Sequence, residues 1–459
     1  MADFRLYSSS VTRTVEWRLA QLRGLATFLV ECESDILKAL QADFKSQYDA
    51  LSEVRTVQSA VAQAIDQLPT WLSPEHVTRS LAFYTDSCAL HWEPRGVVLI
   101  ISAWNYPLSL LIEPLVGALA AGCVATLKPS EVAHHTAEVI STKLPGYLEC
   151  ISVRTGGPEM TQQLLEWPHW GLVFYTGNGK VGKLIQEKAS KNLVPTIMEL
   201  GGKSPCIYLS GDIDVVAKRI VFGKMFNGGQ TCVAPDYVLT TNVEGLLRAV
   251  EKAIHAFYGE DPCDSSDLSS IVNDRHWDRL ESLLEGLNES SILRVGTSKR
   301  DKKRFAPTMV VNPPLNSRLM TEEIFGPILP IIEIASVEDA VKFVNSRDTP
   351  LAAYLFTTIN AEIEYFIARC PSGGMTINDT MMHTFSALLP LGGMGPSGMG
   401  RYKGKWSLEA FSHAKPVMWR SLRGEMINDW SRNPPLTEKK FSLVSSAMFS
   451  PLQPRHLKK

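Results

Sequence analysis

This chain has no long apolar run, no excess of charge of either sign and no closely paired cysteines, and each absence narrows what it can do. Its longest apolar stretch, residues 108–124, is broken by Glu113, Pro114 and two glycines, so it reads as a buried helix and not a bilayer span. The N-terminal segment lacks a continuous apolar core beside a small-residue cleavage site, so no secretory signal is expected. Forty-six basic against 48 acidic residues leave a net charge of -2, which gives neither nucleic acid nor an anionic membrane an electrostatic handle. The eight cysteines are scattered without a Cys-x-x-Cys pair, which argues against a disulfide framework or a structural zinc. Reduced thiols in a cytoplasmic protein are expected instead. His134 and His135 are sequence neighbours, and adjacent helical residues rarely share a face, so no metal site is expected.

What is present is ordinary in amount and informative in order. A length of 459 residues allows about three domains or two large ones. With 45% hydrophobic and 20% charged residues, the composition suits a globular enzyme or binding protein. Residues 12–67 place Val15, Leu19, Leu22, Leu25, Ile36, Leu37 and Leu40 at helical spacing, predicting two or three amphipathic helices. Residues 80–92 alternate loosely and predict an extended strand. From Gly96 onward, short apolar runs at 96–101, 123–127, 150–153 and 172–175 read as buried strands. Helical stretches at 106–121, 131–142 and 180–190 separate them. A second series starts near Gly201, with strands at 206–209, 237–240 and 330–334 and helices at 215–226, 243–258 and 337–345. Such alternation means parallel strands joined by right-handed crossovers. The expected fold class is α/β, with two open-sheet domains and a cleft between them.

Four stretches could carry chemistry. Phe174-Tyr-Thr-Gly-Asn-Gly-Lys-Val-Gly-Lys183 spells G-x-G-x-x-G at Gly177, Gly179 and Gly182, between a strand and a helix whose N-terminus can face a pyrophosphate. An ordinary glycine-rich turn has the same form. In Asn227-Gly-Gly-Gln-Thr-Cys-Val-Ala-Pro-Asp236, Cys232 sits between a two-glycine loop and a proline. That suits a nucleophile whose pKa is lowered by backbone N–H groups that also hold an oxyanion, or else a small core residue. Asn105 follows a strand end and offers either a neutral amide donor or a helix N-cap ahead of Pro107. Glu199 closes a strand before Gly201 and Gly202, where a ribose-binding acid, a general base or an ion-paired carboxylate would all fit. Lys128 and Glu131 suit a ribose or phosphate. The glycine-rich loop from Leu389 to Gly400 predicts either a close backbone approach or a flexible closure.

The order of these motifs is more specific than any one of them. Ser102-Ala-Trp-Asn-Tyr-Pro107, Leu-Lys-Pro-Ser-Glu131, Tyr-Thr-Gly-x-x-x-Val-Gly182, Glu-Leu-Gly-Gly-Lys203, Gly-Gln-Thr-Cys232, Glu-Glu-Ile-Phe-Gly-Pro327 and Ser-Gly-Met-Gly400 follow one another. This series resembles the aldehyde dehydrogenase superfamily across residues 12–416. Gly-Gln-Thr-Cys-Val-Ala-Pro-Asp-Tyr237, Asn378-Asp-Thr, Tyr402-x-Gly-Lys405 and Phe411-Ser-His413 are most like its class 3, or fatty-aldehyde-type, branch.

The resemblance implies oxidation of an apolar aldehyde through a thiohemiacetal and thioester on Cys232, with Asn105 holding the oxyanion and Glu199 as general base. It moves the ribose role from Glu199 to Glu131. It also implies NAD as cofactor, with NADP as the other option, bound by Trp104, Lys128, Glu131, Gly177, Asn178, Gly182, Leu200, Glu323 and Phe325. It divides the chain into an NAD-binding domain (1–79 and 93–200), a catalytic domain (201–411), an oligomerisation arm (80–92 and 412–430) and a C-terminal tail (431–459). A homodimer is implied; many class 3 members end in a membrane anchor, and here none is expected. Asn178, Leu391 and Pro396 depart from the residues usual in the family. Two rival readings are a non-catalytic binding protein on a dehydrogenase fold and a cysteine hydrolase with a nearby histidine base.

Overall fold

The computed structural model describes residues 4–77, 86–423, 425–431 and 433–448. Its N-terminal helices Val15–Glu31, Glu33–Asp43 and Gln47–Leu72 form where apolar residues recur every three or four positions. They bury Leu22, Leu25, Phe28, Ile36, Leu40, Val54 and Val57. Thr14 caps the first of them, its side chain accepting from the Trp17 N–H.

Among the described residues, sixteen strands form three sheets. β1 (Glu75–His76) and β2 (Ser87–Pro94) come first. β3 (Val97–Ile101), β4 (Val124–Lys128), β5 (Ile151–Val153), β6 (Leu172–Thr176) and β7 (Thr196–Glu199) are mutually parallel in the order β7-β6-β3-β4-β5. Every residue of β3, β4 and β6 is buried, as expected of strands covered on both faces. The chain runs from β3 outward to β5 and then returns to β6 on the other side of β3. In an open α/β sheet, such a reversal opens a crevice at the carboxyl ends of the two strands.

The second sheet contains β8 (Pro205–Tyr208), β9 (Tyr237–Thr240), β10 (Ile292–Arg294), β11 (Thr308–Val311), β12 (Ile328–Glu333), β13 (Ala352–Phe356) and β14 (Gly374–Ile377). Their order is β10-β11-β12-β9-β8-β13-β14, parallel except for β10. Alternate strand residues face opposite cores. Cys206, Val238 and Tyr354 pack with Val216, Ile220, Leu246 and Val250 on one side. Ile207, Leu239 and Leu355 pack with Val341 and Phe366 on the other. β15 (Gly398–Met399) returns to the first sheet antiparallel to β7, with Gly398 opposite Glu199.

The described chain forms two compact units, Met1–Leu68 with Pro94–Phe411 and Pro69–Glu93 with Ser412–Lys459. The first holds both large sheets. In the second, β2 lies between β1 and β16 (Ser412–Trp419). Ion pairs Lys415–Glu93 and Arg420–Asp86, each at 3.1 Å, tie it together.

Several expectations need correction. The strand expected at 80–92 runs instead from Ser87 to Pro94, and residues 78–85 lie outside the described part. The helix expected from residue 106 starts at Ser109 with Leu108 at its cap, so Asn105 is not an N-cap. The segment expected as a tail carries a helix, Glu438–Met448. Thr437 starts it, its hydroxyl accepting from the Lys440 N–H at 3.3 Å, a capping signal legible in Thr437-Glu438. The basic residues after 448 lie outside the described part. No helix among the described residues is long and apolar enough to cross a membrane.

Candidate active site

Glu199 ends β7 and is 3% exposed, and neither of its carboxyl oxygens has a hydrogen-bond partner. Burial without compensation disfavours the charged form, and it pushes the carboxyl up to about 8 against a weaker downward pull from Lys403. The glycine-rich loop makes the close approach expected of it. Leu200 N–H donates to the Ser397 carbonyl at 3.0 Å, and a Cβ on Gly398 would stand 2.2 Å from the Met198 oxygen. The packed backbone of this loop backs the strand end that carries Glu199.

Cys232 lies in a turn closed by the Ala234 N–H on the Thr231 carbonyl at 3.0 Å. Three consecutive residues before it, Asn227, Gly228 and Gly229, have positive φ of 58°, 64° and 76°. Glycine is needed at 229, where a Cβ would meet the Gly326 carbonyl oxygen at 2.4 Å. The loop is stitched from within. Gln230 donates to the carbonyls of Asn227 (3.0 Å) and Ser270 (2.9 Å) and accepts from the Val272 N–H (3.0 Å). The Tyr106 hydroxyl pairs with that of Thr231 at 2.6 Å. Asn105 Nδ2 donates to the Gln230 carbonyl at 3.0 Å, which brings the carboxamide beside the cysteine turn.

The thiol is not lowered as the sequence suggested. Burial, Glu323 and Glu199 push it up to about 12, outweighing a backbone hydrogen bond. Cys232 nevertheless keeps part of its surface accessible. Among the described residues, no histidine hydrogen-bonds to it; the buried His383 instead pairs with Thr376 at 2.7 Å.

Glu323 sits on the Gly201–Gly202 turn, accepting from the Gly202 N–H at 3.2 Å, and a Cβ on Gly201 would collide with its carboxyl at 2.3 Å. Burial and the neighbouring Asp236 raise it to about 7. Two residues hold its loop: Lys203, quoted above only as part of a motif, and Arg279, which the sequence reading passed over. Lys203 pairs with Asp236 and donates to the carbonyls of Leu319 (2.9 Å) and Glu322 (2.8 Å). Arg279 donates to the carbonyls of Glu323 (3.1 Å) and Ile324 (2.5 Å). Phe325 follows with a φ of 50°, its ring 5.4 Å from that of Trp104, which also meets His276 at 4.8 Å and Phe44 at 5.7 Å. A second overlooked residue is Lys403. It pairs with Glu113 at 3.2 Å, donates to the Thr384 carbonyl at 2.6 Å and carries a φ of 86°.

The residues present fit a dinucleotide at the β3/β6 crevice. Ser102, just past β3, and Thr176, at the end of β6, both bury hydroxyls with no partner. Lys128, at the end of β4, holds Glu131 at 2.9 Å, and that carboxylate stays 45% exposed. Asn178 caps the helix Gly179–Ser190, its side chain accepting from Val181 N–H. A Cβ on Gly177 would stand 2.2 Å from the Tyr175 hydroxyl, and one on Gly182 would stand 2.8 Å from Leu200, whereas Gly179 has open space around it. A Cβ would thus be crowded by side-chain ends at 177 and 182 but not at 179. That agrees with a Gly-x-x-x-Val-Gly turn and not with a full G-x-G-x-x-G motif.

Asp43, His134 and His135 bring ligand-type atoms within 4.8 Å, and the two imidazoles lie 3.9 Å apart, so these neighbours do share a face. They do so because His134 opens its helix. The Asp43 carboxylate there already accepts from the N–H groups of His135 and Thr136, each at 3.0 Å, at a helix end that disfavours cations.

Two mixed, largely parallel sheets with a small third sheet define an α/β oxidoreductase fold that binds NAD(P). Residues 9–417 match the Aldehyde dehydrogenase family, and the chain belongs to that family. It is an aldehyde dehydrogenase of family 3 type, acting on the aldehyde group of its substrate. It is 42% identical to Aldehyde dehydrogenase family 3 member B1 of Rattus norvegicus, over 96% of this chain and 95% of that one. It is 41% identical to family 3 member H1 of Arabidopsis thaliana, over 97% and 93%. The solved structure titled "Substrate bound state of Staphylococcus Aureus AldH" superposes with a TM-score of 0.91 at 37% identity, covering 96% of this chain and 97% of that one.

Proposed function

We propose that this enzyme oxidises an apolar aldehyde to its carboxylic acid with NAD, through a covalent intermediate on Cys232. One observation carries the reading: a buried, unpartnered carboxyl, Glu199, bears on a partly accessible cysteine, and a neutral carboxamide is hydrogen-bonded to the loop that leads to that cysteine. The Cys232 thiol, pushed up to about 12, needs a base before it attacks, and Glu199 and Glu323 are the carboxyls acting on it. Its sulfur then bonds the aldehyde carbon, and the carbonyl oxygen becomes an oxyanion. The Asn105 amide and the Cys232 N–H hold that charge. The dinucleotide, when bound, supplies the acceptor for the hydride that leaves the thiohemiacetal carbon. Glu199 then takes a proton from water, whose oxygen attacks the thioester and frees acid and thiol. A carboxyl near 8 is matched to this task at neutral pH.

Trp104, Lys128, Glu131, Gly177, Asn178, Gly182, Leu200, Glu323 and Phe325 form the cofactor surface in this reading. Glu131 favours NAD, because a carboxylate bonds a ribose 2′-hydroxyl but repels a 2′-phosphate. The apolar character of the substrate is supported by Tyr106, Phe222 and Phe385, which pack with Cys232 against one core and stay partly exposed. Residues 1–79 and 93–200 are read as an NAD-binding domain and 201–411 as a catalytic domain, which together span the large-sheet unit apart from 69–79 and Glu93; these fall in the second unit, with the oligomerisation arm. A cytoplasmic homodimer is proposed. It is supported by β14, the edge strand of its sheet, beside which Ile367, Met375, Ile377 and Met394 line a shallow, largely apolar trough. Replacing Cys232 with alanine tests the core of the reading. Aldehyde-dependent NADH formation should vanish while NAD still binds, and appreciable turnover by Cys232→Ala would refute it.

A further inference from the structure

Lys45 and Glu53 belong to the N-terminal helical region, far in sequence from Asn105, Glu199 and Cys232. Both side chains are 0% exposed, and they pair at 3.2 Å. A fully buried ion pair costs more to desolvate than an apolar pair of the same size, so its presence asks for a reason beyond stability. Its contacts supply one. Glu53 Oε1 accepts the backbone N–H groups of Leu108 (2.9 Å) and Ser109 (2.8 Å), three and four residues past Asn105. Lys45 Nζ donates to Asn227 Oδ1 at 2.6 Å and lies 4.1 Å from the centre of the Tyr106 ring.

Asn227 passes the grip onward. Its Nδ2 donates to the carbonyls of Asn105 (2.9 Å) and Gln230 (3.2 Å). The Gln230 carbonyl is also the group that takes one hydrogen of the Asn105 carboxamide, at 3.0 Å. A primary amide has two N–H hydrogens. With one held by Gln230, the amide plane is set and the second hydrogen is left for a substrate oxygen. The ion pair thus holds the 105–109 segment from both ends and, through Asn227, the loop that leads to Cys232.

We propose that Lys45 and Glu53 are positioning residues that, acting through Asn227, fix the Asn105 carboxamide against the cysteine turn before an aldehyde arrives. The inference rests on the reading of Asn105 as oxyanion donor. Preorganised donors stabilise developing charge because they need no reorientation during the reaction, and their precision depends on the groups that lock them.

The test is a double-mutant cycle on the full chain. Lys45→Met and Glu53→Gln are made alone and with Asn105→Ala, and NADH formation is followed in a single turnover. Thermal midpoints and the Kd for NAD are measured alongside. Lys45→Met should slow the single turnover about 10–100-fold with NAD affinity within about twofold of the parent. In the Asn105→Ala background, the same change should cost less than about threefold, because the donor it positions is gone. Glu53→Gln keeps the acceptor for both N–H groups and removes only the charge. It should show the same pattern if Lys45→Met does not fold. Equal losses in both backgrounds, or no loss from either variant, would overturn the positioning role while leaving Asn105 as donor. An unchanged single turnover in Asn105→Ala would overturn the oxyanion reading itself, and this proposal with it.

Discussion

Glutamine at position 199 keeps the shape of the side chain and removes its ionisation, which makes it the sharpest probe of the site. Moving the carboxyl from its ordinary 4.5 to about 8 corresponds to about 5 kcal/mol against ionisation inside the protein, at about 1.4 kcal/mol per pKa unit. Only about one Glu199 in ten is then ionised at pH 7. Where thioester hydrolysis limits turnover, the parent rate should climb about tenfold per pH unit and level off near pH 8. Glu199→Gln should lose that limb yet form its first NADH almost normally. Rapid mixing should show a burst of about one NADH per active site and then a slow steady state. Product release must first be shown to be fast in the parent.

The same substitution has a consequence for stability that does not depend on catalysis. Because the folded-state pKa is raised, the folded protein keeps a proton that the unfolded chain sheds above about 4.5. The stability this group contributes is complete below that value and is lost as pH rises through about 8. Glutamine has no such loss. The stability of Glu199→Gln relative to the parent should therefore grow by about 2–3 kcal/mol between pH 6 and pH 8, read from denaturant unfolding at each pH. A difference that stays flat over that range would refute the buried, unpartnered carboxyl. A first turnover as slow as later ones would place the glutamate earlier, in deprotonating Cys232.

Lys403 is the cation that opposes the rise of Glu199, so Lys403→Met should move the alkaline limb above pH 8; an unmoved limb would show that Lys403 does not act on Glu199. Glu131→Gln removes the charge that repels a 2′-phosphate, and kcat/KM for NADP relative to NAD should rise about tenfold; an unchanged ratio would take Glu131 out of cofactor choice. Light scattering at micromolar concentration should give twice the 50.8 kDa chain mass, and a monomeric mass would count against the dimer.

The sequence by itself determined the class of fold and the family, and it offered Asn105, Glu199 and Cys232 as the groups to examine. The short apolar runs Val97–Ile101 and Leu172–Thr176 form buried strands, because a strand covered on both faces is written as a local apolar pattern. The ordered motifs around Asn105, Glu199 and Cys232 resemble one family closely enough to name the family, and the chain belongs to it. Other elements were legible but passed over. Leu351-Ala-Ala-Tyr-Leu-Phe356 is a plain apolar run that becomes β13, and Thr437-Glu438 is a helix start.

What only the tertiary structure decided is the state of those groups. That both Glu199 oxygens lack a partner, that Cys232 is pushed up and not down, and that Asn105 spends one amide hydrogen on Gln230 are not properties of any local pattern. Arg279, Lys403 and Lys45 reach their partners across sequence separations of 44, 19 and 182 residues. Ionisation and orientation depend on burial and on the nearest charges and dipoles. Distant segments supply these, and only folding brings them together.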